Sequence, residues 1–86
     1  MYKIELAKSS IKALEGFDGK TQEKIYRVLQ TLKINPFKSN RIKKLRGELK
    51  GRFRYRIGEI RIIYKVVGES RTIFVEAIGR RGSIYK

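Results

Sequence analysis

The chain contains no cysteine and no histidine among its 86 residues, and it has a single proline. The missing cysteines exclude disulfides, thiolate nucleophiles and zinc–sulfur sites. The missing histidines remove the usual general base and the commonest metal ligand. No apolar run approaches the roughly 20 residues that cross a bilayer, and no signal-peptide pattern opens the chain. We therefore expect a soluble cytoplasmic protein with a single domain over residues 1–86.

Acidic side chains are also scarce. The sequence has eight of them against 22 lysines and arginines, which gives a formal charge of +14. Most of the excess lies in residues 41–86, which carry fourteen basic and four acidic side chains. Self-repulsion on this scale favours an anionic partner: nucleic acid, an acidic protein or, least of all, a membrane surface, because the excess lies in strand-like sequence. The carboxylates are scattered singly and no P-loop glycine motif is present, so we expect no metal and no cofactor.

Hydrophobic periodicity predicts a strand and two helices in the first part of the chain. Alternating residues indicate a strand from Tyr2 to Leu6, and Ser9 or Ser10 can cap a short helix after it. Asp18 can cap a second helix from about Lys20 to Ile34. The apolar stripe of that helix falls at the i, i+3, i+4 and i+7 positions Ile25, Val28, Leu29 and Leu32. The Asn-Pro pair that follows ends the helix.

The second half of the chain predicts three strands, at 52–57, 60–67 and 72–78, separated by glycine-containing turns, and Gly79 is expected to break the last strand. Residues 38–50 form a polar connection that the pattern leaves open as a helical turn or an extended segment. The predicted fold class is α+β. It comprises an antiparallel sheet with an N-terminal strand, a two-helix hairpin packed on one face, and a C-terminal three-stranded meander, in the order β-α-α-β-β-β.

Alternation in the run Arg52-Phe-Arg-Tyr-Arg-Ile57 directs one side of a strand into the core and three guanidinium groups to the other side. Arg61 and either Arg80 or Arg81 are expected to join this face. A row of like charges is either an exposed basic edge that discourages aggregation or a binding surface for a polyanion. The overall charge favours the binding surface.

Clustered arginines suit RNA cleavage without a metal, because RNA carries its own nucleophile in the 2′-hydroxyl. Guanidinium groups stabilise the extra negative charge on phosphorus but do not transfer protons. Tyr85 is the candidate for acid–base work, since neighbouring cations favour its phenolate; the alternative is that it stacks on a base or packs the chain end. Glu59 and Glu76 are weaker candidates, because each is more simply explained as the charge partner of a neighbouring arginine.

The ordered motifs resemble the RelE/ParE toxin family, and specifically its RelE branch of ribosome-associated mRNA endoribonucleases. They are Lys44-Leu-Arg-Gly47, Arg54-Tyr-Arg-Ile-Gly-Glu-Ile-Arg-Ile-Ile-Tyr64, Ile78-Gly-Arg-Arg81 and Ile84-Tyr85. The resemblance implies catalytic roles for Arg54, Arg56, Arg61, Arg81 and Tyr85. RelE has lysines where this chain has its first two arginines of that set, so a lysine general base does not transfer.

The resemblance implies mRNA, the ribosome and a cognate antitoxin as partners. The other basic side chains of the second half are expected to bind RNA: Lys43, Lys44, Arg46, Arg52, Lys65 and Arg80. Two alternatives remain. One is a ParE-type toxin that shares the fold and poisons DNA gyrase, and the other is an RNA-binding module without catalytic activity.

Overall fold

The computed structural model describes residues 1–80, so Arg81 and Tyr85 lie outside the described residues. Within that range no helix is long and apolar enough to span a bilayer. The elements are β1 (Lys3–Leu6), α1 (Lys8–Glu15), α2 (Gly19–Ile34), β2 (Ile42–Lys44), a 3₁₀ turn (Gly47–Leu49), β3 (Arg52–Ile57), β4 (Ile60–Val67) and β5 (Thr72–Arg80).

The five strands form one sheet in the order β1-β5-β4-β3-β2. Strands β2 to β5 pair in antiparallel fashion, whereas β1 runs parallel to β5. The α+β class, the two helices and the C-terminal meander are confirmed, but the prediction of a wholly antiparallel sheet was wrong for β1. The physical reason is that a long connection through helices can return the chain beside β1 in the same direction, which a hairpin cannot do.

The connection between α2 and β3 contains both forms that the sequence left open. Ile42–Lys44 is extended and pairs with β3, where Ile42 lies opposite Tyr55, and the 3₁₀ turn follows it. The Leu45 backbone N–H continues the pairing by donating to the Arg52 carbonyl at 3.0 Å. This short additional strand extends the sheet beyond the arginine strand β3.

The two helices begin in different ways. Asp18 caps α2 as predicted, because its Oδ1 accepts from the Thr21 backbone N–H at 3.1 Å, and this bond lowers the pKa of Asp18. The expectation that a serine caps α1 was wrong, since Ala7 is the N-cap and has no side-chain bond. Ser9 and Ser10 lie inside the first turn of α1 and donate to carbonyls of β5. They therefore tie α1 to the sheet.

The core lies between the helices and one face of the sheet. The stripe predicted for α2 is buried there, together with Leu14 of α1. The sheet supplies alternate residues of β3, β4 and β5, namely Tyr55, Ile60, Ile62, Tyr64, Ile73, Val75 and Ile78. Because neighbouring residues of a strand point to opposite sides, this arrangement sends the intervening arginines of β3 to the other face.

Tyr64 ties the centre of the sheet to the end of α2. Its side chain is fully buried, its ring stacks on Phe53 with centroids 5.5 Å apart, and its hydroxyl donates to the Pro36 carbonyl at 2.7 Å. We expect Tyr64→Phe to lower the free energy of unfolding by about 1–2 kcal/mol, because the Pro36 carbonyl loses its donor.

Urea unfolding at neutral and alkaline pH checks this prediction. Burial raises the pKa of Tyr64, so above about pH 10 only the unfolded state of the unsubstituted protein ionises there. The free energy of unfolding of the unsubstituted protein then falls as pH rises, and its difference from that of Tyr64→Phe should narrow. A difference that stays constant with pH would contradict the burial of the Tyr64 hydroxyl.

Candidate nucleic-acid interface

The sheet face that the helices leave uncovered, called the open face from here on, is strongly basic. Strand β3 contributes its three arginines at alternate positions. The register brings basic residues of the flanking strands onto the same face, because directly paired residues point to the same side. The members of this set are Lys43 on β2, Arg52, Arg54 and Arg56 on β3, and Arg61 and Lys65 on β4.

Arg56 and Arg61 lie directly opposite each other on neighbouring strands. Like charges in this position destabilise a sheet unless an anion lies between or above them. Arg61 is half-buried, and its Nη1 atom is buried with no hydrogen-bond partner among residues 1–80. On its other side Arg61 faces Gly79, which adds no side chain. This end of the open face is therefore suited to receive an oxyanion.

Arg54 is half-buried beside this pair, with its Nε atom inside the protein surface. A cleft of about 410 Å³ lies between β2 and β3 and is lined by Asn40, Arg41, Ile42, Lys43, Arg54 and Arg56. Arg41 is the residue that sequence reasoning missed. Its carbonyl accepts from the Arg56 backbone N–H at 3.1 Å. The sequence signal was the cluster of basic residues around Ile42, but the position of Arg41 beside Arg56 depends on the pairing of β2 with β3.

Arg52 differs from the other arginines because it already holds a carboxylate. Its Nε and Nη2 atoms donate to the two oxygens of Glu76 at 2.6 and 3.2 Å. The two side chains are 32% and 23% exposed, and the bond to Glu76 raises the pKa of Arg52. Glu76 thus forms an ion pair with an arginine, as the sequence suggested, although that arginine lies two strands away.

A β-bulge at Glu76 changes which face the end of β5 presents. Ile63 pairs with Ala77 and Tyr64 pairs with Val75, so Glu76 is the extra residue. The alternation of β5 therefore shifts by one, and Arg80 falls on the helix-covered side, with its guanidinium 5.4 Å from the centre of the Phe17 ring. The expectation that Arg80 would stand on the open face is corrected. The run of β5 through Gly79 also corrects the predicted strand end.

The remaining predicted residues lie at the sheet edge or beyond the described range. Lys44 and Arg46 are exposed and line a groove of about 740 Å³ beside β2. Glu59 is exposed in the turn between β3 and β4. Across residues 1–80 no three acidic side chains come together as a metal-binding group.

Comparison with known sequences gives a consistent family assignment. A profile described as "ParE toxin of type II toxin-antitoxin system, parDE" matches residues 4–85. A relative from Methanocaldococcus jannaschii, named "Putative toxin RelE1", is 32% identical over 87 residues, covering 99% of this chain and 96% of the relative.

Solved structures share the fold at low identity. The chain is similar to a YoeB/ParE toxin from Agrobacterium tumefaciens, with a TM-score of 0.82, 25% identity, and coverage of 92% of this chain and 98% of the other. It is also similar to a chain of the toxin-antitoxin complex RelBE2 from Mycobacterium tuberculosis, with a TM-score of 0.82, 22% identity and coverage of 93% and 98%. A chain of the archaeal RelE-RelB complex from Pyrococcus horikoshii is similar with a TM-score of 0.81 and 24% identity, and the match covers 95% of this chain and 97% of the other.

Proposed function

The chain belongs to the RelE/ParE superfamily of toxins from type II toxin–antitoxin systems, and from that premise we propose that it is an mRNA endoribonuclease of the RelE type. One observation carries the proposal. Arg56 and Arg61 face each other on the open face, and the latter has a buried Nη1 without a hydrogen-bond partner in residues 1–80. Phosphate is the ligand that satisfies both groups, since its oxygens accept the forked donors of guanidinium.

The proposed reaction uses the 2′-hydroxyl of RNA as the nucleophile. Its oxygen bonds to the adjacent phosphorus as the hydroxyl proton passes to water, the bond from phosphorus to the 5′ oxygen of the next nucleotide breaks, and a 2′,3′-cyclic phosphate and a 5′-hydroxyl result. Arg61 stabilises the negative charge that builds on the phosphoryl oxygens, with Arg54 and Arg56 beside it. Because these groups form a fixed array on a sheet, they need little rearrangement during the reaction.

Proton transfer needs a different group, because arginine keeps its protons. We assign protonation of the departing 5′ oxygen to Tyr85 and further charge stabilisation to Arg81, both on the resemblance of the chain end to the RelE pattern. No metal ion has a role in this scheme. The substrate is mRNA on the ribosome, so the site of action is the cytoplasm.

A cell-free translation reaction with a defined mRNA tests the proposal. Primer extension after addition of the purified protein should reveal new 5′ ends inside the coding region, and these ends should require ongoing translation. Intact mRNA together with undiminished protein synthesis would contradict the proposal. Tight, salt-dependent RNA binding without any cleavage would instead support a non-catalytic RNA-binding module.

A gyrase-poisoning function is the second candidate, because the matching family profile is described by the ParE name. The basic array of the open face argues against it, since a gyrase poison has no need of a phosphate-binding cluster. A supercoiling assay with purified gyrase separates the two functions. Loss of supercoiling with mRNA left intact would favour the ParE reading over ours.

We also propose a cognate antitoxin as the protein partner. The similar chains from M. tuberculosis and P. horikoshii come from toxin–antitoxin complexes, and an acidic wrapping chain suits a formal charge of +14. Co-expression with the protein encoded beside it should yield a complex whose dissociation rate rises with salt.

Glu76 limits the positive charge of the open face by holding Arg52. We expect Glu76→Gln to release that guanidinium to RNA and to steepen the salt dependence of single-stranded RNA binding by about 0.7 in log K against log salt concentration. Fluorescence anisotropy over a salt series measures the slope. Glu23→Gln is the matched control, because it releases Arg27 on α2, away from the open face. Equal slopes for the two variants would contradict this role.

A further inference from the structure

One cross-strand row of the open face contains an aromatic side chain. Glu5 on β1 pairs with Phe74 on β5, Phe74 pairs with Lys65 on β4, and Lys65 pairs with Arg52 on β3. Paired residues share a face, so a carboxylate, an aromatic ring and two cations follow one another across the sheet. We infer that Phe74 is the floor of a binding site for a single nucleobase, and that the base is guanine.

Phe74 differs from its two neighbours on β5. Its neighbours Ile73 and Val75 are fully buried in the core, whereas Phe74 is half-buried on the opposite side. It borders a shallow pocket of about 370 Å³. Val67, which is 41% exposed, provides an apolar wall of this pocket. An aromatic ring set among cations on a sheet is the arrangement on which proteins stack unpaired bases.

Lys65 completes the chemistry of a nucleotide site. Its Nζ atom lies 5.8 Å from the centre of the Phe74 ring. The ammonium group sits on a flexible stem, so it can leave the ring for a phosphate when a base arrives. Lys3 lines the same pocket and supplies a second cation. The site thus offers a stacking surface together with charges for the backbone of the bound nucleotide.

Glu5 selects among the bases. It is exposed on β1, directly beside Phe74, with strands about 4.8 Å apart. A carboxylate accepts two parallel hydrogen bonds, and guanine has two adjacent donors, at N1 and N2, on its Watson–Crick edge. Adenine and cytosine present one amino group there, and uracil presents one imino group. The carboxylate therefore favours guanine.

The site is separate from the proposed cleavage centre, although it rests on the proposed function for its RNA substrate. Lys65 and Arg61 are four residues apart on β4, which corresponds to about 14 Å. That is further than one nucleotide reaches. The guanine therefore lies beyond the two nucleotides that the scissile phosphate joins, and it makes the enzyme selective for sequence at a distance.

Binding of short 2′-O-methyl RNA oligonucleotides tests the inference, because they cannot be cleaved by 2′-hydroxyl attack. The unsubstituted protein should bind a uridine oligomer with one central guanine about tenfold more tightly than the all-uridine oligomer. Phe74→Leu should remove that preference while leaving the salt dependence unchanged, since no phosphate contact is lost. The unsubstituted protein should also bind guanine more tightly than the inosine base, which lacks the N2 amino group. Glu5→Gln should bind the two equally, because an amide has a single oxygen that accepts a hydrogen bond.

Phe37→Leu is the matched control, since Phe37 is 47% exposed and contacts Tyr2 and Phe53 away from the row. An unchanged guanine preference in Phe74→Leu would overturn the inference, as would an equal loss in Phe37→Leu. The binding readout is independent of cleavage. A guanine preference in a protein that leaves mRNA intact would keep the base site and refute the proposed function. Cleavage of mRNA by a protein without a guanine preference would keep the proposed function and refute the base site.

Discussion

Replacement of Arg61 by alanine is expected to slow mRNA cleavage by about 10²- to 10³-fold, the loss typical of removing one preorganised donor from a developing oxyanion. The fold should persist, because the buried Nη1 of Arg61 has no hydrogen-bond partner within residues 1–80 and removal of the side chain relieves the repulsion with Arg56 across the strand pair. Single-turnover cleavage on programmed ribosomes gives the rate constant, and thermal unfolding verifies the fold.

The control for this variant is Arg27→Ala. It removes the same side chain from α2, where Arg27 is 76% exposed and pairs with Glu23. Both variants lower the net charge by one, so a general electrostatic effect would slow both equally. Selective loss in Arg61→Ala supports the site, and full cleavage by Arg61→Ala would remove Arg61 from it.

Leu32→Ala is expected to lower the free energy of unfolding by about 2–5 kcal/mol. Leu32 is fully buried near the end of α2 and packs in the core against the sheet, so its truncation leaves a cavity. A domain of this size has a stability of roughly 4–13 kcal/mol, so the change removes a large part of it. Urea denaturation monitored by circular dichroism measures the loss.

Ile34→Ala provides the comparison on the same helix. Ile34 is 72% exposed, so its substitution should alter stability by no more than about 0.5 kcal/mol. Similar losses at the two positions would mean that α2 does not pack as described. A large loss of stability in Leu32→Ala alone would support the packing of α2 against the sheet, and with it the assignment of the other sheet face as the open face.

The bulge at Glu76 links the fold to the candidate site. It supplies the residue that leaves the regular pairing of β4 with β5, and its carboxylate reaches Arg52 on β3. The same bulge shifts Arg80 to the side of Phe17. One irregular residue therefore decides which cations stand together on the open face and which of them is already neutralised.

Periodicity was sufficient for the elements that bury one side. The stripe of α2, the cap at Asp18 and the bounds of β3 and β4 followed directly from local pattern, because each depends on neighbours in the chain. The grouping of Arg54, Arg56 and Arg61 on one face followed from alternation in two adjacent strands joined by a tight turn.

Other features depended on contacts between distant segments. The parallel pairing of β1 with β5 joins residues about seventy positions apart, and nothing in Lys3–Leu6 records its direction. The bulge at Glu76 requires knowledge of both strands, so the side taken by Arg80 was not predictable by alternation. The role of Arg41 likewise depended on β2 being a strand.

The measurement that tests the central claim most directly uses a ribosome-bound mRNA with a single 2′-deoxynucleotide at the cleaved position. We predict that the all-ribose mRNA is cut to a 2′,3′-cyclic phosphate and a 5′-hydroxyl end, while the deoxy-substituted mRNA stays intact, because only the 2′-hydroxyl supplies the nucleophile. Equal cutting of both mRNAs, or no cutting of the all-ribose mRNA, would contradict the account.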